Sequence, residues 1–150
     1  MKYVEALEKL EALHAMLPSV ACQGLCTASC GPLALSFLER LRLQRARGRT
    51  FGQVTTPACP LLKAGRCTLY PLRPTICYLY GVTESMPCGY GCVPERWVSV
   101  HECTALLHAV EEISQAVFPR HGTVSLHTAQ AIVDAQERAA ADLCHLLWGV

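Results

Sequence analysis

The sequence lacks any long hydrophobic run, although 51% of its 150 residues are hydrophobic. No stretch approaches the roughly 18 consecutive apolar residues that a membrane-spanning helix needs, so no association with a membrane is expected. An excess of one charge is also missing, because 13 Lys and Arg residues stand against 12 Asp and Glu residues. A general polyanion-binding protein carries a dominant basic charge, so nucleic acid is not the expected partner.

The motifs of common enzyme sites are absent as well. The six histidines form neither a His-x3-His pair nor a His-Glu-x-x-His motif, and no Gly-rich phosphate loop or Gly-x-Ser-x-Gly turn is present. Among ten cysteines, no single thiol can be matched to a histidine base that would activate it as a nucleophile. The sequence therefore indicates no catalytic residue and favours a role other than catalysis.

Two acidic residues near the N-terminus, Glu5 and Glu8, interrupt the apolar segment that a secretory signal requires. The protein is therefore expected in the cytoplasm, where thiols stay reduced. In that compartment, closely spaced cysteines more often bind metal than form disulfides.

Ten cysteines are the outstanding feature of the composition, and eight of them fall between positions 22 and 92. The first three have a spacing of four residues, so a helix would project them from one face and a loop would let their sulfurs converge. Eight thiolates divide naturally into two sites of four. The predicted metal ligands are Cys22, Cys26, Cys30, Cys59, Cys67, Cys77, Cys88 and Cys92.

Thiolate is a soft donor, which limits the expected metals to iron in iron–sulfur clusters, zinc and Cu(I). Structural zinc sites often use Cys-x2-Cys pairs, and this chain has none. Four of the five tyrosines lie among the cysteines, where they form either an aromatic shell around a redox cluster or a small core: Tyr70, Tyr78, Tyr80 and Tyr90. One or two [4Fe-4S] clusters are the favoured prediction, with zinc and then Cu(I) as alternatives.

Three short segments resemble the signature of YkgJ-type cysteine-cluster proteins, a family described as zinc- or iron-chelating. They are Cys-Pro-Leu-Leu at 59–62, Gly-Arg-Cys-Thr-Leu-Tyr at 65–70 and Arg-Pro-Thr-Ile-Cys at 73–77. The resemblance implies that Cys59, Cys67 and Cys77 are ligands, with an upstream partner among Cys22, Cys26 and Cys30. The family usually has an adjacent Cys-Cys pair upstream, which this chain replaces by cysteines with three residues between them. The resemblance implies metal binding and no particular activity.

The expected role of such a cluster is electron transfer, redox sensing or an accessory function for a partner enzyme, in contact with a protein redox partner. Arg66 and Arg73 lie between the predicted ligands. Their charge is expected to offset that of a thiolate-bound cluster and to raise its reduction potential. The main alternative is a zinc-stabilised interaction module without redox activity.

The rest of the chain has helical spacing of apolar residues, which predicts a mainly α fold. Helices are predicted over residues 3–17, from Pro32 to about Arg47 with Gly48 as the stop, from about 100 to 117, and from about Ser125 onward. We expect about four helices around an irregular cysteine-rich segment at 22–92, with a C-terminal helical pair at 94–148. The whole chain, 1–150, is predicted to be one metal-binding domain.

Four further features of the pattern bear on the fold. Pro74 is expected to open a brief helical turn that carries Cys77. Cys103 and Cys144 fall on apolar helix faces, where a free thiol packs as a small hydrophobe. Val100 and Leu107 are predicted on the same buried face as Cys103. A basic run near the end of the second helix is expected to be a solvated face, with a contact to nucleic acid or to an acidic redox partner as the alternative: Arg40, Arg42, Arg45, Arg47 and Arg49.

Overall fold

A computed structural model of the chain describes residues 1–25, 27, 30–31, 35–48, 58–119 and 129–138. The prediction of a mainly α fold is confirmed. In chain order, the elements are α1 (Tyr3–Ala15), α2 (Phe37–Arg47), β1 (Leu62–Lys63), β2 (Arg66–Cys67), α3 (Thr75–Leu79) and α4 (Val100–Val117). Residues 129–138 are helical too. The predictions for Cys26, Pro32, Arg49, Ser125 and Cys144 lie outside the described residues.

Helix α1 buries one face at helical spacing, formed by Tyr3, Ala6, Leu10 and His14. Its first turn is capped, since the backbone N–H of Lys2 donates to the Glu5 carboxylate at 3.2 Å. The helix ends at Ala15, two residues before the predicted end. The next residue, Met16, follows the helix as its C-cap and is 73% exposed.

Helix α2 begins later than predicted, because Ser36 caps it. The Ser36 hydroxyl accepts from the Glu39 N–H at 3.3 Å, and the Glu39 carboxylate accepts in return from the Ser36 N–H at 3.0 Å. This reciprocal pair satisfies two N–H groups that the helix itself leaves free. The helix is therefore shorter at its start than predicted, because residues 35 and 36 are not helical. The predicted stop is confirmed, since Gly48 takes the left-handed conformation with φ of 69°.

Helix α4 starts at a second capping box, between Ser99 and Glu102. At 100° per residue, its buried stripe centres on Cys103, Val110 and Ser114. Val100 and Leu107 lie on one flank of that stripe and are 58% and 38% exposed. The prediction that these two side chains are buried is therefore wrong. Helix α4 is rotated so that the side of the stripe away from Val100 and Leu107 faces the core.

One core cluster joins α1, α2, α4 and the helical residues 129–138, with Leu10, Leu38, Val110 and Val133 among its buried side chains. A polar contact lies inside it, where the Ser114 hydroxyl accepts from the Leu38 N–H at 3.1 Å. Leu38 is in the first turn of α2, whose N–H groups have no partner within the helix. The buried serine therefore satisfies a donor that the apolar core would otherwise leave unpaired.

The basic run of α2 contacts acidic residues of this same chain. Arg42 pairs with Glu11 of α1 at 2.6 Å. Arg45 pairs with Asp134 at 2.9 Å and with Glu137 at 2.8 Å, and its guanidinium lies 5.6 Å from the centre of the Tyr3 ring. These contacts connect α2 to its neighbours. Arg42 and Arg45 are therefore paired with acidic side chains and are not simply solvated, as the sequence had led us to expect.

Replacing Arg45 by alanine is expected to lower the free energy of unfolding by about 1 kcal/mol, because partly exposed ion pairs contribute little individually and the ring contact adds to them. Urea unfolding followed by circular dichroism measures the effect. Arg40 lies on the exposed face of the same helix and provides the matched control, as Arg40→Ala. Equal stability of the two variants would show that the Arg45 contacts do not stabilise the fold.

Within the described ranges, none of the helices combines the length and the apolar character that crossing a bilayer requires.

Candidate metal centre

The described cysteines of the 22–92 region line a single cleft with a volume of about 830 Å³. They are Cys22, Cys30, Cys59, Cys67, Cys77, Cys88 and Cys92. All of them are free thiols, as is Cys103. Cys26, the eighth predicted ligand, lies outside the described residues. Residues far apart in the sequence thus place their sulfur-bearing side chains on one concave surface.

Four of these residues form what we call the inner cysteine group: Cys30, Cys59, Cys67 and Cys77. Backbone contacts connect the first three. The Cys59 N–H donates to the Cys30 carbonyl at 3.1 Å, and the Leu62 N–H donates to the Cys59 carbonyl at 3.1 Å. Leu62 in turn pairs with Cys67 across the hairpin of β1 and β2. The three cysteines pack around one small apolar cluster whose buried members include Leu43 and Leu61.

The hairpin depends on a two-residue turn at Ala64 and Gly65, which have φ of 47° and 72°. Two consecutive residues with positive φ make the tight turn whose twist matches that of paired strands. Glycine adopts this conformation without cost, so Gly65 helps to fix the short loop that places Cys67 opposite Leu62.

Cys77 joins the inner group from α3. Pro74 stands at the N-cap of α3, as predicted, and its carbonyl accepts the Cys77 N–H at 2.9 Å. Burial raises the pKa of the Cys77 thiol to about 12, and the neighbouring thiols of Cys59, Cys30 and Cys67 act in the same direction. A bound cation supplies the compensating charge that lets such crowded thiols ionise together.

The remaining three described residues form the outer cysteine group: Cys22, Cys88 and Cys92. An antiparallel bridge pairs Val20 with Pro94, and the Glu95 N–H donates to the Ser19 carbonyl at 3.0 Å. Cys22 follows Val20 by two residues and Cys92 precedes Pro94 by two. The bridge therefore brings both cysteines to the same end of the pairing.

Hydrogen bonds to sulfur distinguish the outer group. The backbone N–H groups of Tyr90 and Cys92 donate to the Cys88 sulfur, the Cys92 thiol contacts it as well, and together these contacts lower the pKa of Cys88. The Gly24 N–H lies 3.3 Å from the Cys22 sulfur. Because N–H donors stabilise negative charge on sulfur, the loop around Cys88 favours the thiolate form of that residue.

Buried polar side chains that the sequence analysis did not identify hold α3 in place. The Glu39 carboxylate accepts from the N–H and the hydroxyl of Thr75, the first residue of α3, both at 2.7 Å. The other oxygen of the same carboxylate accepts from Ser36. The Ser36-x-x-Glu39 capping box was visible in the sequence, whereas nothing in the sequence pointed to Thr75 as the distant partner.

His14 adds the next contact, since its Nε2 lies 2.9 Å from the Thr75 hydroxyl. That hydroxyl already donates to Glu39, so it must accept from His14, which assigns the Nε2–H tautomer. The His14 ring stacks on Tyr78 with centroids 4.2 Å apart. Burial lowers the pKa of His14, so the ring is held neutral while it lines the cleft.

The two predicted arginines both line the cleft. The Arg73 guanidinium lies 3.7 Å from the centre of the Tyr78 ring and 4.2 Å from that of Tyr70. Arg66 is on the exposed side of the hairpin. Tyr80 lines the cleft as well, whereas Tyr90 is 51% exposed and is not part of the lining. Tyr78 and Tyr80 are half-buried, whereas Tyr70 and Tyr90 are exposed.

The donor chemistry of the cleft fits a soft metal. Its lining contains seven thiols and no carboxylate side chain among the described residues, which disfavours the hard cations Mg²⁺ and Ca²⁺. Within the same part of the chain, no three Cys, His or carboxylate side chains lie close enough together to bind one metal ion. The structure thus brings the predicted ligands to one cleft, and their assignment as ligands stays a prediction.

No protein-family model matches the chain, and neither a curated protein nor a solved structure shows significant similarity to it.

Proposed function

We propose that the cleft binds iron–sulfur and that one or two [4Fe-4S] clusters are held by its cysteine thiolates. The observation that carries this proposal is the convergence of seven thiols, from five separate stretches of sequence, on one cleft. Such a density of soft donors suits iron–sulfur, zinc or copper rather than an oxygen-preferring cation. The resemblance of residues 59–77 to YkgJ-type proteins supports metal binding, and membership of that family is part of the proposal.

The charge of the lining supports a thiolate-bound cluster, because such a cluster is anionic. The only permanently charged side chains among the described lining residues are two cations, Arg66 and Arg73. Arg73 is held against Tyr70 and Tyr78, so its charge stays near Cys77 instead of extending into solvent. A fixed positive charge favours addition of an electron to a nearby centre and so raises its reduction potential.

When bound, the cluster supplies one-electron redox chemistry. The thiolates hold it, while Tyr78, Tyr80 and the apolar lining limit the access of water. The role that we propose is electron transfer, redox sensing or support of a partner enzyme through contact with a protein redox partner in the cytoplasm.

Metal analysis of anaerobically purified protein tests this proposal. We expect brown protein with broad absorbance near 400 nm, and iron and acid-labile sulfide in equal amounts, about four or eight of each per chain. Colourless protein with stoichiometric zinc and no sulfide would instead identify a zinc-stabilised module. Copper without sulfide would identify a Cu(I)-binding protein. Either result would overturn the proposed function.

A further inference from the structure

We propose that the cleft contains two separate metal centres, one bound by the inner cysteine group and one by the outer cysteine group. This inference rests on the proposed function and deepens it by dividing the ligands. The inner centre would use Cys30, Cys59, Cys67 and Cys77. The outer centre would use Cys22, Cys88 and Cys92.

The inner group is a connected unit of the fold. Its first three members are joined through the Cys59–Cys30 backbone bond and the hairpin that pairs Leu62 with Cys67. They also share one apolar cluster, in which Cys59 is only 9% exposed. Leu69 and Leu72, in the chain between β2 and α3, pack against the same cluster, and Cys77 lines the same cleft from α3. Four thiols held this way match the ligand number of a [4Fe-4S] cluster.

The outer group is attached to a different framework. The Val20–Pro94 bridge supports Cys22 and Cys92, and Cys88 lies in the same loop as Cys92. Gly91, with φ of 76°, lies in that loop, and its N–H donates to the Cys88 carbonyl at 3.2 Å. On the other side of the bridge, the Gly24 N–H lies 3.3 Å from the Cys22 sulfur. N–H donors directed at cysteine sulfur recur around bound metal, because they stabilise thiolate and tune the potential of a cluster.

The two groups differ in solvent exposure. This difference indicates which centre lies nearer to a redox partner on the path of an electron. Cys22 is exposed, and so are the loop residues Gly89, Tyr90 and Gly91 beside Cys88. Cys59, by contrast, is buried against Leu43 and Leu61. The outer centre is therefore the one that a redox partner approaches, and the inner centre is the shielded one.

Paired serine substitutions test the division. The variants Cys59→Ser/Cys67→Ser and Cys88→Ser/Cys92→Ser are each loaded anaerobically with ferrous iron and sulfide, beside the unmodified protein. We expect about eight irons per chain in the unmodified protein and about four in each double variant. Cys103→Ala is the matched control with full loading, because Cys103 packs with Leu79, Val82 and Val98 instead of lining the cleft.

Electron paramagnetic resonance gives a second measurement. It is informative even if the Cys59→Ser/Cys67→Ser variant does not fold. In fully reduced unmodified protein, we expect two interacting spins. The Cys88→Ser/Cys92→Ser variant, which leaves the inner framework intact, should give one uncoupled spin. Helix content from circular dichroism checks that each variant remains folded.

The outcomes separate the two proposals. About four irons in the unmodified protein, all lost in either double variant, would overturn the division and leave the iron–sulfur function in place. If the unmodified protein as purified instead holds zinc or copper, and each double variant as purified holds half as much, the division would be supported and the function overturned. Absence of bound metal from every preparation would overturn both.

Discussion

Replacement of Cys77 by serine is expected to abolish metal binding at the inner cysteine group and to loosen residues 58–94. Serine is a poor ligand for soft metals, and a four-thiolate site that loses one ligand binds far more weakly. The loosening follows from how little else orders this segment. Its regular elements are two strands of two residues, a short 3-10 turn and the five-residue helix α3. Such elements have no independent stability without tertiary support.

Hydrogen exchange measures that loosening directly. In metal-loaded protein, amide protection within residues 58–94 should fall at least about 100-fold in Cys77→Ser, equivalent to about 3 kcal/mol. Protection in α1 and α4 should change less, because their core cluster does not include the cysteine groups. The lost iron, about half of the total, is quantified on the same samples.

Cys103→Ala provides the control for loss of a thiol as such. Cys103 is buried against Leu79, Val82 and Val98, and burial raises the pKa of its thiol, which suits a packed, protonated side chain. Its removal should cost about 1 kcal/mol of packing and leave the iron content unchanged. If Cys77→Ser kept its iron and its amide protection, as the control should, then sulfur–metal bonds would not be what orders this part of the chain.

Local signals in the sequence predicted most of the architecture. Apolar spacing located α1, α2 and α4, Gly48 marked the end of α2, and Pro74 marked the start of α3. These features depend on interactions within a turn or two of helix, which a sequence pattern records directly. The concentration of cysteines likewise indicated which region forms the candidate site.

Features that depend on distant partners could not be read in the same way. The start of α2 was placed too early because Pro32 is a common first-turn residue, whereas Ser36 and Glu39 complete a capping box. The exposure of Val100 depends on how α4 is rotated against its neighbours. The inner and outer cysteine groups follow from the Val20–Pro94 bridge and the Cys30–Cys59 contact, both between residues far apart in the chain.

The buried Glu39 carboxylate illustrates how a position outside the cysteine groups can control one of them. It joins the start of α2 to the start of α3, and α3 carries Cys77. Its two oxygens accept hydrogen bonds from the backbone and hydroxyl groups of both Ser36 and Thr75. Glu39 is therefore a positioning residue for the inner cysteine group, acting through the helix on which Cys77 lies.

Replacement of Glu39 by alanine is expected to lower the free energy of unfolding by about 3 kcal/mol, because it leaves several buried donors unsatisfied. Glu39→Gln should have an intermediate effect. Its amide oxygen can still accept from Thr75, but its NH₂ group would face the Ser36 N–H, which is also a donor. Glu8→Ala, at an exposed position of α1, should change stability by less than about 0.5 kcal/mol.

Urea unfolding and the reduction potential of the metal-loaded protein, measured together, separate positioning from bulk stability. A displaced α3 should shift the potential of the inner centre in Glu39→Ala, and Glu39→Gln should restore most of it, since the Thr75 contacts survive. The same two variants should leave the outer centre unaltered, because Cys22, Cys88 and Cys92 are held by the Val20–Pro94 bridge. An unchanged potential in a clearly destabilised Glu39→Ala protein would show that the carboxylate stabilises the fold without positioning Cys77.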